Sequence, residues 1–582
     1  MGDRVVPSVP GHDRGRWWAL ATLCAGSSLV ELALLTAFDP SARPELAPQA
    51  NALAPFGVFS DLRWLSVYNS SWPALAAEAL GLLVVRAALT ALSIGLAWPS
   101  SLARPRPARL FWQAGLGTLV AAVLLVPSVV VLFGAAVVPV SWLFLAGVPA
   151  ALLVAVIVHP VGIASDWWRR AIPLRGVGWV FLSFVVLSLS GSALDLLPRA
   201  AWPLVCALSG LFNAWAWAGA VHAVVGRRAA RIPVPLVPLA VVALASTVVA
   251  GTMLGFDRAT RARDDQAPAA AATAEPGAPP TGTGMAVLLV AGYGSSWDGR
   301  PAHPVPGPFY EERFSYRGLG PGGRPLGYAA ADTVKSLPAL DSLFLRQVRS
   351  LAQRTGHRVA VVGESEGAMV AKTALLAYPG APVSKLVLAS PLLAPGRVIY
   401  PTRDDQGWGL ASGQALGVLD QALEGVSPID LSPDSAFLAS LDSEAPLLSP
   451  VMSCPLPQVR QFALLPLADA TVAPGTAVPG TVTRFPTYVI AAFHGGLVED
   501  PAGAKVVGQV LEGRRLPPNG LLQTAERTVA DVSGAWQVPS LAPSAFSAAG
   551  RRAGPLSCDQ LGRALRSRVE TWSARQQEGP LR

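Results

Sequence analysis

Lysine is nearly missing from this sequence: Lys335, Lys372, Lys385 and Lys505 are the only four, and arginine dominates a formal net charge of +8. The arginines are scattered, and no basic stripe is interleaved with aromatic residues, which argues against a nucleic-acid surface. The bias itself fits a GC-rich bacterial genome. Cysteine is equally scarce, with four in 582 residues. No Cys-x-x-Cys or Cys/His ligand spacing occurs, so the chain offers no zinc site, and no motif asks for a cofactor. Cys24 and Cys206 lie in apolar runs, where a thiol acts as a small hydrophobe. Charged residues make up 14% of the chain against 52% apolar. That balance belongs to membrane rather than to one large soluble core, and the length calls for two or three units.

What is present in the first half is length of apolar sequence. Runs at about 17–38, 73–98, 109–133, 140–160, 176–194, 202–225 and 233–255 each approach the roughly twenty residues that a bilayer-crossing helix needs. They predict an all-α transmembrane bundle of about seven helices over 1–256. Arginines cluster before the first run (Arg4, Arg14, Arg16) and in alternate loops (Arg104, Arg106 and Arg109; Arg169, Arg170 and Arg175; Arg227, Arg228 and Arg231). The intervening loops carry Arg43, Arg63 and Arg199. The positive-inside rule then sets the N-terminus in the cytoplasm and everything after residue 256 outside, with Arg258, Arg261 and Arg263 breaking the pattern beside Asp257, Asp264 and Asp265. Within the spans, Glu31 or Glu78 is the expected partner of Arg86.

Residues 257–283 are rich in Ala, Pro, Thr and Gly and read as a tether without a core-forming pattern. Beyond it the period changes. Strand-like runs at 285–291, 313–318, 357–363, 384–390, 459–469 and 485–494 alternate with helix-period stretches such as 338–355, which predicts a mostly parallel sheet covered on both faces over 284–512. About 391–457 lack strand character and read as a cap beyond the C-terminal edge of the sheet, where α/β sites are built. The extension 513–582 ends in a helical pattern with no evident docking face.

The stretch "RVAVVGESEGAMVAK", residues 358–372, sets a serine at the corner between a strand and a helix. A nucleophile has to stand clear of the sheet edge with backbone donors beside it, and a sharp strand–turn–helix does this only with small neighbours. Gly363 and Gly367 stand two residues to either side of Ser365. The following helix turns its first amides toward developing negative charge, beginning with that of Glu366. The second half holds three histidines, and of these His494 follows the last strand at its C-terminal end, whereas His303 lies in a Pro-rich loop and His357 precedes a strand. Asp469 closes a strand between serine and histidine in chain order, while Asp430, Asp434 and Asp442 belong to the cap region.

On these residues, 285–512 resembles the α/β-hydrolases, particularly the lipases and esterases. "VLLVAGYGSS" is similar to the family's oxyanion strand and loop, "FSYRG" to its next strand, "VGESEGAMVA" to its nucleophile elbow and "SPDSAFLASLD" to a lipase-like cap segment. The resemblance implies Ser365 as nucleophile, Asp469 as acid, His494 as base, and the amides of Tyr293 and Glu366 as the oxyanion hole. It also implies a sheet without the first two strands of the full fold. Ala291-Gly292 replaces a common His-Gly, and Glu364 and Glu366 flank the nucleophile where His and Gln are frequent.

Together these readings describe a membrane-tethered, extracytoplasmic serine hydrolase of lipid or acyl esters, with the bilayer and an ester as its partners and no metal or cofactor. An acyltransferase using the same three residues is the nearest alternative. A seven-span sensor or transport protein with a non-catalytic hydrolase-fold domain is the more distant one. An exported second half would also allow Cys454 and Cys558 to form a disulfide.

Overall fold

In the computed structural model the described residues are 14–38, 44–137, 163, 174–225, 285–301, 303–392, 408–423, 432, 434–448, 450–467, 486–492, 494–539 and 556–577. They divide into two compact units. A helical unit takes the described residues through Leu132, residue 163, those from 174 to 225, and 532–539. A second unit takes 133–137, 285 through Asp531, and 556–577.

The helical unit contains α1 (Arg14–Phe38), α2 (Ala54–Val67), α3 (Trp72–Ala97), α4 (Pro107–Val137), α5 (Leu174–Leu196) and α6 (Trp202–Val225), with a short 3-10 helix at Pro44–Gln49 between α1 and α2. Five of these are long and apolar enough to cross a membrane: α1, α3, α4, α5 and α6. The expected spans at 140–160 and 233–255 lie outside the described residues. Apolar side chains of these helices face outward and polar ones inward. On α3, Leu80, Val84, Val85 and Leu92 face outward while Arg86, Thr90 and Ser93 are buried. On α5, Phe181 and Leu189 are exposed whereas Ser183, Ser188 and Ser192 are buried. A hydrocarbon solvent favours this inside-out arrangement, because polar groups find partners only within the bundle. Ser71 caps α3 by accepting from the Ala74 amide, and Pro73 at its first turn removes a donor that would go unpaired.

The hydrogen-bonded partner of Arg86 is Asp61 rather than Glu78, while Glu31 lies close enough to interact electrostatically with both Arg86 and Asp61. The Arg86 guanidinium grips Asp61 of α2 through Nε at 2.7 Å and Nη2 at 2.5 Å, and donates to the Ala50 carbonyl. Glu78 is exposed. The pairing follows from α2, a fourteen-residue helix too short to register as a span, which brings an acid beside α3. Gly57 is required there, because a Cβ would stand 2.3 Å from Arg86 Nη1.

The second unit is built on six parallel strands in the order β2-β1-β3-β4-β5-β6. They are β1 (Met285–Val290), β2 (Phe309–Arg313), β3 (Val359–Glu364), β4 (Val383–Ala389), β5 (Arg460–Pro466) and β6 (Thr487–Ile490). The sheet is the parallel one that the alternation of strand-like and helix-period runs predicts. β1 and β3 are buried almost throughout, as strands covered on both faces must be. The second strand falls earlier than the sequence pattern placed it. Only Arg313 of the run 313–318 belongs to the strand; beyond Phe314 the chain leaves the sheet and turns at Gly318 (φ +104°), with Ser315 held at its amide and carbonyl by the Gln347 side chain.

Helices α7 (Leu337–Thr355) and α8 (Glu366–Ala377) flank the sheet. The cap region supplies α9 (Leu410–Leu423), α10 (Ala436–Ser443) and the single turn α11 (Ala445–Leu448). After β6 come α12 (Pro501–Leu511), α13 (Gly520–Gly534) and α14 (Cys558–Gln577). The last of these packs on α7 and α8, so the second unit continues well past residue 512. Gly562 lets α14 approach closely, since a Cβ would lie 2.7 Å from the Leu376 carbonyl oxygen. Arg566 reinforces the contact by donating to the Ala377 carbonyl at 2.9 Å.

A disulfide joins Cys454 to Cys558 across 104 residues of sequence. Closing a loop of that length restricts the unfolded chain by about 4.7 kcal/mol in the chain-entropy account. Cys558→Ser is therefore expected to lower the melting temperature of the second unit by several degrees. The same variant should abolish the mobility difference between reduced and non-reduced gels, and an unchanged melting point would show that α14 docks without help from the bridge.

Candidate active site

The corner at Ser365 is as tight as its sequence demands. β3 ends at Glu364, α8 begins at Glu366, and Ser365 between them takes φ +52° and ψ −113°, a left-handed backbone rare for a side-chain-bearing residue. The flanking glycines are required sterically. A Cβ on Gly363 would sit 2.6 Å from the Gly367 carbonyl oxygen, and one on Gly367 would sit 2.2 Å from that of Val290. The strained residue is held from both sides: its amide donates to the Ala389 carbonyl at 2.9 Å, and its carbonyl accepts from Ala368 and Met369.

His494 reaches this serine from the far end of the sheet. Its Nε2 lies 2.9 Å from Ser365 Oγ, and the residue is 7% exposed. Gly495 (φ +84°) and Gly496 (φ +69°) turn the chain immediately after it. The other two histidines of the second half, His303 and His357, are exposed.

The turn after β1 closes against the same serine. A Cβ on Gly292 would stand 3.2 Å from Ser365 Cβ, so the turn packs closely against the serine. Tyr293 follows it; its hydroxyl is 3.1 Å from Ser435 Oγ and its ring stacks on Phe437 of α10 at 5.3 Å. The Thr333 hydroxyl accepts from the Gly294 amide, and Tyr316 donates to the Ala291 carbonyl at 2.6 Å, so the turn is fixed from behind.

The structure thus brings Ser365, His494, the Gly292–Tyr293 turn and the head of α8 at Glu366 to one rim. Asp469 lies outside the described residues. Of its sequence rivals, Asp434 is exposed and Asp430 is outside the description.

Two carboxyl groups bracket the nucleophile, and both are buried. Burial pushes the Glu366 carboxyl well above the usual range, with the Tyr316 hydroxyl and Lys335 opposing the shift. Burial also raises Glu364, to about 7, with Glu499 adding to the effect and the Leu497 amide, His494 and Arg313 opposing it. Sequence reasoning treated Glu364 only as a departure from a pattern. In the fold its Oε1 accepts from the Leu497 amide at 2.6 Å, three residues past His494. The Leu497 carbonyl is fixed in turn by helix α12, whose Gly503 has no room for a Cβ beside it. Arg313 pairs with Glu499 at 2.8 Å on the same loop. Chemically, the site holds a hydroxyl hydrogen-bonded to an imidazole, at a helix N-terminus with backbone amides alongside, an arrangement suited to acyl transfer. Among the described residues no group of His, Cys, Asp and Glu could hold a metal ion.

No protein-family model matches the chain, and no curated protein does. Among solved structures it is similar to a serine hydrolase from the polyaromatic hydrocarbon-degrading bacterium Cycloclasticus zankles, at 13% identity over 40% of this chain and 90% of that one, with a TM-score of 0.25. An esterase from Exiguobacterium antarcticum matches at 14% identity over 40% of this chain and 92% of its own, TM-score 0.21. A 2-hydroxy-6-oxo-6-phenylhexa-2,4-dienoate hydrolase from a Rhodococcus strain matches at 13% identity over 40% and 90%, TM-score 0.23.

Proposed function

We propose that the protein is a membrane-tethered serine hydrolase that cleaves carboxylic esters of lipids or other acyl compounds. The single observation that carries this reading is the strained Ser365 with its hydroxyl 2.9 Å from His494 Nε2. In the proposed reaction the neutral imidazole takes the Ser365 proton as the oxygen attacks the ester carbonyl. The tetrahedral oxygen is received by the Tyr293 and Glu366 amides, a contribution of a few kcal/mol per donor. His494 then protonates the departing alkoxide, and water, activated by the same imidazole, releases the acid. Asp469 is assigned to orient the imidazole and support its charged form. The five apolar helices support anchoring in a cell membrane. The arginine pattern supports a cytoplasmic N-terminus and an extracytoplasmic hydrolase domain, next to lipid and envelope esters.

The test is turnover by the full-length protein in detergent of nitrophenyl esters of increasing acyl length, set against the matching anilides. Esters should be cleaved at least about tenfold faster than anilides, with a burst of nitrophenol as the acyl-enzyme accumulates. A long-chain alcohol added as second acceptor separates hydrolysis from acyl transfer by product. Absence of turnover across the whole ester series would sink the assignment.

A further inference from the structure

The described residues 532–539 follow the hydrolase domain in sequence, yet they belong to the helical unit. Trp536 is its centrepiece, 2% exposed. Its indole stacks on Phe184 of α5 at 4.9 Å and lies against Phe56 and Phe59 of α2 at 5.6 and 6.2 Å. The indole N–H donates to Ser188 Oγ at 2.7 Å. A tryptophan is buried this deeply where its N–H also finds an acceptor, and here it does.

The polar half of the site is more specific. Arg63 of α2 is wholly buried, and its Nη1 donates to two carbonyls of the segment, Ala535 and Gln537, each at 2.9 Å. Its Nη2 donates to Gln49 Oε1, and Gln49 donates to the Ala535 carbonyl at 2.7 Å. The guanidinium also lies over the Phe59 ring at 4.7 Å. Removing the segment would strip a buried cation of two of its acceptors, a change that costs several kcal/mol. Backbone fit adds a third element: a Cβ at Gly191 would stand 2.3 Å from Ala535 Cβ, so α5 carries glycine where the segment crosses it. Three parts of the helical unit, the 3-10 helix, α2 and α5, therefore converge on a stretch whose sequence lies 348 to 486 residues away.

We propose that the helical unit is a receptor for the chain's own C-terminal segment. Residues 535–537 are the ligand, Trp536 is the anchor, and Arg63 and Gln49 read the backbone on either side of it. None of this depends on what the hydrolase domain cleaves.

The test uses the full chain with an N-terminal affinity tag and a specific protease site placed within residues 266–280. After purification in detergent and cleavage, the tagged bundle is captured. The C-terminal fragment should stay on the resin for the wild type and elute with an excess of a synthetic peptide covering residues 530–542. Ala535→Leu, which drives bulk against Gly191, and Trp536→Ala should each reduce retention at least about tenfold, as loss of a central aromatic anchor does. Both substitutions lie on the ligand, so the bundle keeps its own sequence. Wild-type fragment washing freely off the resin, or Ala535→Leu fragment held as firmly as wild type, would overturn the proposal.

Discussion

Ser365→Ala should abolish labelling of the full-length protein by a fluorophosphonate and lower ester turnover by at least about 10⁴-fold, with KM little changed. The size of the effect follows from removing the only atom that bonds to the acyl carbon, while the amides and the substrate-binding surfaces stay. The substitution is clean because the strain at this corner is in the backbone. Alanine takes φ +52° at the same cost as serine, and the amide-to-Ala389 hydrogen bond that holds the corner involves no side chain. The melting temperature should therefore match that of wild type. Persistent labelling in Ser365→Ala would move the nucleophile to another residue, and equal turnover would remove serine catalysis altogether. Loss of activity together with loss of the folded state would instead mean that the hydroxyl supports the fold.

The elbow was legible in sequence because its chemistry is local. Gly363 is fixed by a collision with the Gly367 carbonyl within the same strand–turn–helix, so spacing conveys that geometry, whereas Gly367 answers to Val290 on the neighbouring β1. The five apolar helices are legible for a similar reason, since the thickness of a bilayer sets a length that can be counted along the chain. Features that rest on distant partners left no such trace. The Asp61–Arg86 pair depends on α2, whose fourteen residues show neither a full span nor a strong period. The start of β2 was misplaced because "FSYRG" is as apolar and β-prone as a strand, while Gln347 on another element captures its backbone. Trp536 sits in the extension for which the sequence shows no docking face; its burial comes from Ser188, Phe184 and Arg63, which no window of sequence could bring together. Glu364 is the subtlest case. Its neighbour in sequence is the nucleophile, but its hydrogen-bond partner is 133 residues further on.

Glu364→Leu should lower kcat by about 10²-fold with little change in KM, and Glu364→Gln should recover most of that loss. Leucine leaves the buried Leu497 amide without its acceptor, a penalty of about 1–3 kcal/mol that the loop relieves by moving. His494 moves with it, and a displacement of about 1 Å at a proton-transferring group is worth two orders of magnitude in rate. Glutamine keeps an oxygen acceptor and removes the charge, so it separates positioning from electrostatics. A carboxylate at 364 favours the imidazolium form of His494, while Glu499 and Arg313 act in opposite senses on Glu364 itself. Without that carboxylate, the acid limb of kcat/KM should shift to lower pH, because the imidazole holds its proton less tightly; in wild type the limb belongs to the coupled pair. Stability should respond in the other direction. The folded protein holds Glu364 protonated up to about pH 7, whereas the unfolded chain releases that proton near the ordinary glutamate value. The native state therefore binds more protons across that interval. Its stability is fullest below about pH 4.5 and declines as pH rises to 7, by on the order of 3 kcal/mol from this group. Glutamine should remove that part of the decline, making the variant relatively more stable at pH 8 than at pH 5. Equal losses of kcat in the leucine and glutamine variants, with an unmoved acid limb, would mean that Glu364 serves the fold and not His494.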